Sequence, residues 1–192
     1  MTSDPRYEHL VMSFLKGLDV ALAELRSMTA GKDVYAIAIN PGDLYDEAFL
    51  YANTIDSLPD NADAAARLSA KWCIADWRYQ AFGEAALRAL NDEIADMIGD
   101  VYELDSEELH RHCQRMKDVY AGALTSDAFL DLLARHFKNR RPVLAVFQTD
   151  QSDEEMVSSV EQLNPRGVAT AFKEELRSLR RLQQFALSSR RS

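Results

Sequence analysis

The sequence predicts an α+β domain: a small, mainly antiparallel sheet of three or more strands (33–40, 47–54 and 143–150) packed with several amphipathic helices. Three observations lead there. The runs DVYAIAIN and EAFLYANT, rich in β-branched and aromatic residues, flank the turn signal Asn40-Pro41-Gly42-Asp43 and read as an antiparallel hairpin. A third run of this kind, VLAVFQTD, opens after Pro142, far along the chain. Nearly everything else carries apolar residues at spacings of three and four, the helical period, so strands and helices come in separate runs rather than in strict alternation. All three strands are expected in one sheet.

Asp4 followed by Pro5 signals a helix start, a side-chain acceptor ahead of a preset φ. Tyr7, Val11, Phe14, Leu18, Ala21 and Leu25, widened by Leu10 and Leu22, then give one long amphipathic helix that stops near Gly31. In the first strand Tyr35, Ile37 and Ile39 alternate with Val34, Ala36 and Ala38, apolar on both faces, as in a central strand covered on both sides. Asp56 to Asn61 reads as a loop. From Ala62 the pattern is helical, breaks near Gly83, and resumes through Leu87, Leu90, Ile94 and Ile98 to Gly99. Leu109, Cys113, Met116, Tyr120 and Ala123 mark the next helix, and Asp127 to His136 a shorter one before the basic run RHFKNRR. After the third strand, Met156, Val160 and Leu163 belong to one helix, and Val168, Phe172, Leu176 and Leu179 to another, separated by Asn164-Pro165.

With 192 residues, 47% hydrophobic and 28% charged, the chain reads as one globular domain, 1–192, with a basic C-terminal end that frays from about 186. The opening MTSDPRYEHL lacks a basic segment followed by an apolar run, and no later apolar stretch approaches the roughly 20 residues of a membrane span, so a cytoplasmic protein is expected. Cys73 and Cys113 lie in no ligand spacing and are expected as reduced thiols. The net charge of −9 disfavours nucleic acid and anionic membranes and suits a basic protein partner. It is uneven: from Arg166 onward there are seven Lys/Arg and two Asp/Glu.

At KWCIADWRYQ and again at SSVEQLNP the chain resembles an uncharacterised bacterial family, domain of unknown function 4303. The resemblance rests on order as well as on words. A YAIAI-type strand comes first, then a strand ending Tyr51-Ala52-Asn53-Thr54, then Lys71-Trp72 and Asp76-Trp77-Arg78-Tyr79. Val143 to Asp150 follow and lead into Ser159-Val160 and Leu163-Asn164-Pro165. It covers roughly residues 5 to 180. The family typically carries Ser-Pro after the first tryptophan, which implies a capped helix start; Cys73 and Ile74 depart from it, which leaves Asp76 to face the exposed amides. The resemblance implies a fold and not a chemistry. Small acidic domains of this sort look like immunity proteins of toxin systems or other partner-binding modules, an analogy at the level of fold.

Trp72 and Trp77 are the only tryptophans, and with Arg78 and Tyr79 they have the composition of an interface hot spot. The alternative is that the indoles wedge the hairpin against the next helix, each finding a partner for its N–H. The expectation drawn here is a core corner at Trp72 that turns outward at its end. His110 and His112, two apart on a helix, point about 200° from each other and do not close on one ion. No GxSxG, HExxH or glycine-rich phosphate loop occurs. The acidic triplets Asp105, Glu107, Glu108 and Asp153, Glu154, Glu155 fall at helix N-termini, where the dipole favours them. Asn53 and Asn164 are either polar contacts at a sheet end or turn and cap residues. The expected set is therefore no catalytic residue, metal or cofactor, with binding candidates Asp76, Trp77, Arg78, Tyr79, Asn53 and Asn164 and no nucleic-acid or membrane partner. A macromolecule-binding module of immunity-like or regulatory type comes first. A small-ligand binder or enzyme with a pocket near Trp77, Tyr79 and Asn53, and a self-associating structural protein, are the alternatives.

Overall fold

Strands β1 (Val34–Asn40), β2 (Phe49–Thr54), β3 (Tyr79–Phe82) and β4 (Val143–Val146) form one sheet in the order β3-β2-β1-β4. These come from a computed structural model, which describes residues 5–60, 62–99, 103–137 and 141–189. Among the described residues seven α-helices surround the sheet: α1 (Pro5–Thr29), α2 (Ala64–Trp72), α3 (Glu84–Ile98), α4 (Ser106–Thr125), α5 (Asp127–His136), α6 (Asp153–Leu163) and α7 (Arg166–Ser189). The α+β class and the helix-packed sheet are as expected. Asp4, Lys138 to Arg140 in the basic run, and residues 190–192 of the expected frayed end lie outside the described residues.

β1 and β2 are antiparallel, β2 and β3 are antiparallel, and β1 and β4 are parallel, with Ile37 opposite Leu144 and Ile39 opposite Val146. Three details depart from expectation. The second strand begins at Phe49 rather than at 47, and the third ends at Val146 because Thr149 and Asp150 form a turn. β3 sits where a helix was expected. Its four residues are too few to show a period of two.

The sheet is covered on both faces, which is why β1 is apolar on both. Val34, Ile37, Ile39, Leu50, Leu144 and Val146 pack under α1, α3, α4 and α5, around Phe14, Leu18, Leu22, Leu87 and Tyr120. Tyr35, Ala36, Ala38, Ala145 and Phe147 face α2, α6 and α7, with Trp72, Trp77, Val160, Phe172 and Leu176. Expected alternation placed Tyr35 beside Ile37, but Tyr35 is on the other face. The register steps from Val34–Thr54 to Ala36–Asn53, so one extra residue of β1 is a bulge, and a bulge inverts the alternation on one side of itself. That shift delivers the Tyr35 ring to the tryptophans.

Two glycines let the layers close. Gly17 lets α1 meet α3, since a Cβ there would stand 2.9 Å from the Ala86 carbonyl oxygen. Gly83, with φ of 69°, takes the left-handed conformation ahead of α3, and its Cβ would fall 2.3 Å from that of Ala21. This is the break the sequence shows at Gly83. The acids at helix starts act as caps. Asp105 and Glu108 close a capping box on α4, and Ser152 and Glu155 close another on α6, each cap residue being typically worth about 1 kcal/mol.

Candidate functional site

Beneath KWCIADWRYQ lies a polar network that the bulge at Tyr35 builds. The Tyr35 hydroxyl donates to the Lys71 carbonyl at 2.7 Å and accepts from Asn53 Nδ2 at 3.1 Å. Lys71 is in the last turn of α2, where carbonyls have no helical partner, and it accepts a second bond from Trp77 Nε1 at 3.0 Å. Asn53 Oδ1 takes the amides of Thr54 and Arg78 at 3.1 and 3.4 Å. From α7, Glu175 accepts Trp72 Nε1 at 2.7 Å and Lys71 Nζ at 2.7 Å, while the same ammonium stands 5.0 Å from the Trp72 ring centroid. Burial raises the Tyr35 phenol well above its ordinary pKa, against the weaker opposing pull of the Asn53 bond, so it remains a neutral donor. Both indole N–H groups and both ends of the Asn53 amide are satisfied.

Of the six binding candidates, the structure leaves two on the surface. Asn53, Trp77 and Tyr79 are 1%, 2% and 6% exposed. Asp76 and Arg78 are exposed, and Arg78 lays its guanidinium 6.0 Å from the centre of the Tyr79 ring. The corner therefore does not turn outward at Trp77, which packs against Tyr35 and Phe147. Nor does a helix start after Trp72. Cys73 ends α2, Ile74 to Asp76 make a single 3-10 turn with Ile74 buried, and β3 follows. A hollow of about 200 Å³ beside this corner is lined by Trp72, Ile74, Phe147 and Gln148, not by Trp77, Tyr79 or Asn53.

Asn164 serves the sheet edge. β4 is an outer strand, so the backbone of Leu144 and Val146 faces away from β1. Asn164 accepts the Leu144 amide at 2.9 Å and donates to its carbonyl at 2.7 Å, and Ser159 Oγ accepts the Val146 amide at 2.7 Å. Side chains of α6 and its C-cap thus occupy an edge that would otherwise template another strand. Both asparagines satisfy backbone, the cap-like role their residue type suggests.

A second group of residues gathers where β1 and β4 run out. The segment 41–48 between β1 and β2 is pinned from α4: Cys113 Sγ donates to the Leu44 carbonyl at 3.6 Å, Tyr120 to that of Glu47 at 2.8 Å, and His112 Nε2 bonds that of Tyr45 at 2.9 Å. A carbonyl only accepts, so His112 carries its proton on Nε2 and Nδ1 accepts from the Tyr7 hydroxyl at 3.4 Å. Burial lowers the His112 pKa, which keeps this tautomer neutral. Gln148, just past β4, donates to the carbonyls of Gly42 and Asp43 at 2.8 and 3.2 Å and ties the two loops together. Held this way, Tyr45 adopts φ of 59°, a left-handed conformation that tyrosine rarely takes.

The tie brings Asp43, Asp46 and Glu47 to the same end of the sheet as Asp150, Asp153, Glu154 and Glu155. Arg180 pairs with Asp153 at 2.5 to 2.7 Å and holds that carboxyl below its ordinary pKa. Between α4, α6 and Tyr45 opens a cleft of about 120 Å³, with Lys117 and Glu155 on facing helices. Sequence reasoning missed His112, Glu175, Tyr45 and Lys117. His112 lies one turn before Met116, and Glu175 three residues after Phe172, both on apolar stripes where a polar side chain needs a partner; that signal was available. Tyr45 carries none, since its burial comes from α4.

The family described as Domain of unknown function (DUF4303) matches residues 16–165, more than half of the chain. The match includes all six candidates and stops before α7, which supplies Glu175. No similar curated protein and no similar solved structure was found.

Proposed function

The chain belongs to the DUF4303 family, and from that premise we propose that it is a non-enzymatic cytoplasmic module that binds a basic protein partner, in an immunity-like or regulatory role. One observation carries the reading: two loops tied by Gln148, with the first turn of α6, set seven carboxylates around the end of the sheet, and among the described residues only Asp153 of these forms an ion pair, with Arg180. In a chain of net charge −9 such an end attracts a positive surface over a distance comparable to the Debye length, about 8 Å at physiological salt. Among the described residues no helix is long and apolar enough to cross a membrane, consistent with a partner met in solution. The buried tryptophan corner serves this function as scaffold. It fixes α2 and α7 against the sheet and offers Arg78 and Asp76 as a polar rim.

The test is coexpression with the products of neighbouring genes, followed by purification of the complex. A stoichiometric complex is expected, associating more slowly as salt rises and more slowly again in Asp150→Lys and Glu154→Lys, since rim charges act mainly on the association rate. Recovery of no stoichiometric partner, or of one indifferent to both substitutions and to salt, would count against the reading.

A further inference from the structure

We propose that the cleft between α4, α6 and Tyr45 binds a small zwitterion of the α-amino acid type, its carboxylate held by Lys117 and the Tyr45 hydroxyl and its ammonium by Glu155.

Tyr45 is the first reason. It is 4% exposed and lines the cleft, yet among the described residues its hydroxyl has no hydrogen-bond partner. The hydroxyl is not sealed from solvent, so a ligand in the cleft would take the place of water as its partner. The left-handed backbone at Tyr45 costs energy that the pins from His112, Cys113 and Tyr120 sustain, so this loop is fixed before any ligand arrives.

The charges are the second reason. Lys117 forms no ion pair among the described residues; its Nζ rests 5.3 Å from the centre of the Tyr45 ring. Across the cleft, Glu155 spends Oε2 on the Ser152 amide and hydroxyl at 3.0 and 2.8 Å and leaves Oε1. A cation and a carboxylate thus face one space without a direct ion pair, the Lys117 charge only helping to keep Glu155 ionised. A simple anion would leave Glu155 unmatched, and a simple cation would leave Lys117 unmatched. A molecule that carries both charges and no net charge matches both walls. Ser158 and Gln162 line the remainder with groups that donate and accept. The titration of the walls agrees, since Ser152 and Lys117 hold Glu155 ionised and burial keeps Tyr45 a protonated donor. The cleft, about 120 Å³ and open to solvent on one side, has room for a small amino acid.

Thermal shift and calorimetry on the full chain with glycine, alanine, serine and proline test this, each beside its methyl ester and its N-acetyl derivative. At least one free amino acid is expected to raise the melting temperature and bind at one site. Its ester, lacking the carboxylate, and its N-acetyl form, lacking the ammonium, should each bind at least about tenfold more weakly, the value of a lost charge-assisted hydrogen bond. Lys117→Met and Tyr45→Phe should each weaken binding to a similar degree while the unliganded proteins still unfold cooperatively. Lys117 is exposed, so its variant tests the site without touching the core. The inference is overturned if no free amino acid binds, if the ester or the N-acetyl form binds equally well, or if binding persists unchanged in Lys117→Met. None of these outcomes bears on partner binding, because Lys117→Met leaves every rim carboxylate in place.

Discussion

Trp72 on α2 donates its indole N–H to Glu175 on α7 at 2.7 Å, and this bond joins the two helices that cover one face of the sheet. Trp72 is 4% exposed, so truncating Glu175 takes the acceptor from a largely buried N–H, and Lys71 loses its carboxylate as well. Glu175→Ala should therefore lower stability by about 2 kcal/mol, within the range for an unsatisfied buried donor. Glu175→Gln keeps an acceptor for the indole and should cost less than half as much. Urea unfolding of the two variants beside the parent measures the difference, and equal losses would show that charge rather than the indole bond is what Glu175 supplies.

Both indoles are walled in, Trp72 against Phe172 at 4.7 Å between ring centroids and Trp77 between Tyr35 and Phe147. In Trp72→Phe and Trp77→Phe, each of which leaves one reporter, acrylamide should quench the native fluorescence weakly and the urea-unfolded fluorescence strongly. Strong native quenching of the Trp77 reporter would mean that the corner opens in solution.

The edge of β4 depends on one side chain more than on any other. Asn164 makes three bonds, with the amide and carbonyl of Leu144 and the carbonyl of Val160. Asn164→Leu removes all of them and buries apolar bulk against unpaired backbone. A loss of about 2–3 kcal/mol is expected, together with concentration-dependent association, because the freed backbone is a template for another strand. Urea melts and light scattering check the two effects separately. A variant that loses stability but stays monomeric would show that Ser159 guards the edge alone.

The elements were legible in the sequence wherever burial repeats with the helical or strand period. The stripes of α1, α4 and α7 and the two-sided run of β1 are of this kind. What was not legible depends on partners distant in the chain. The direction of β4 is set by how α3, α4 and α5 return the chain to the sheet, and nothing within VLAV encodes it. The bulge that turns Tyr35 over is a mismatch of pairing between two strands, each regular by itself. The polarity of the Asp76 to Tyr79 segment suggested a surface, but Trp77 has α2 and β4 over it, and its single polar atom is satisfied by the Lys71 carbonyl. At the other end of the sheet, Tyr45 reads as an ordinary loop tyrosine until α4 is placed beside it.

His112 gives the protein an acid-sensitive joint. Its pKa is lowered from 6.5, first by burial and against the pull of its bond to the Tyr45 carbonyl and of Asp46, so the folded state binds this proton less readily than the unfolded state does. Stability from this group is therefore complete above about pH 6.5 and drains as pH falls through the lowered folded value. Protonation breaks neither bond, since Nε2–H still donates to the Tyr45 carbonyl and a protonated Nδ1 donates to the Tyr7 hydroxyl, so the cost is that of burying the charge. The carboxyls held low, Asp153 and Glu155, lose their contributions only at more acid pH, below about 4, so the two windows are distinct. His112→Gln keeps a donor for the Tyr45 carbonyl and does not titrate. Its urea midpoint should start lower than the parent's at neutral pH and fall less steeply between about pH 6.5 and 5. Parallel slopes for the two proteins across that interval would mean that His112 takes up its proton equally well folded and unfolded, and the joint would then lie elsewhere.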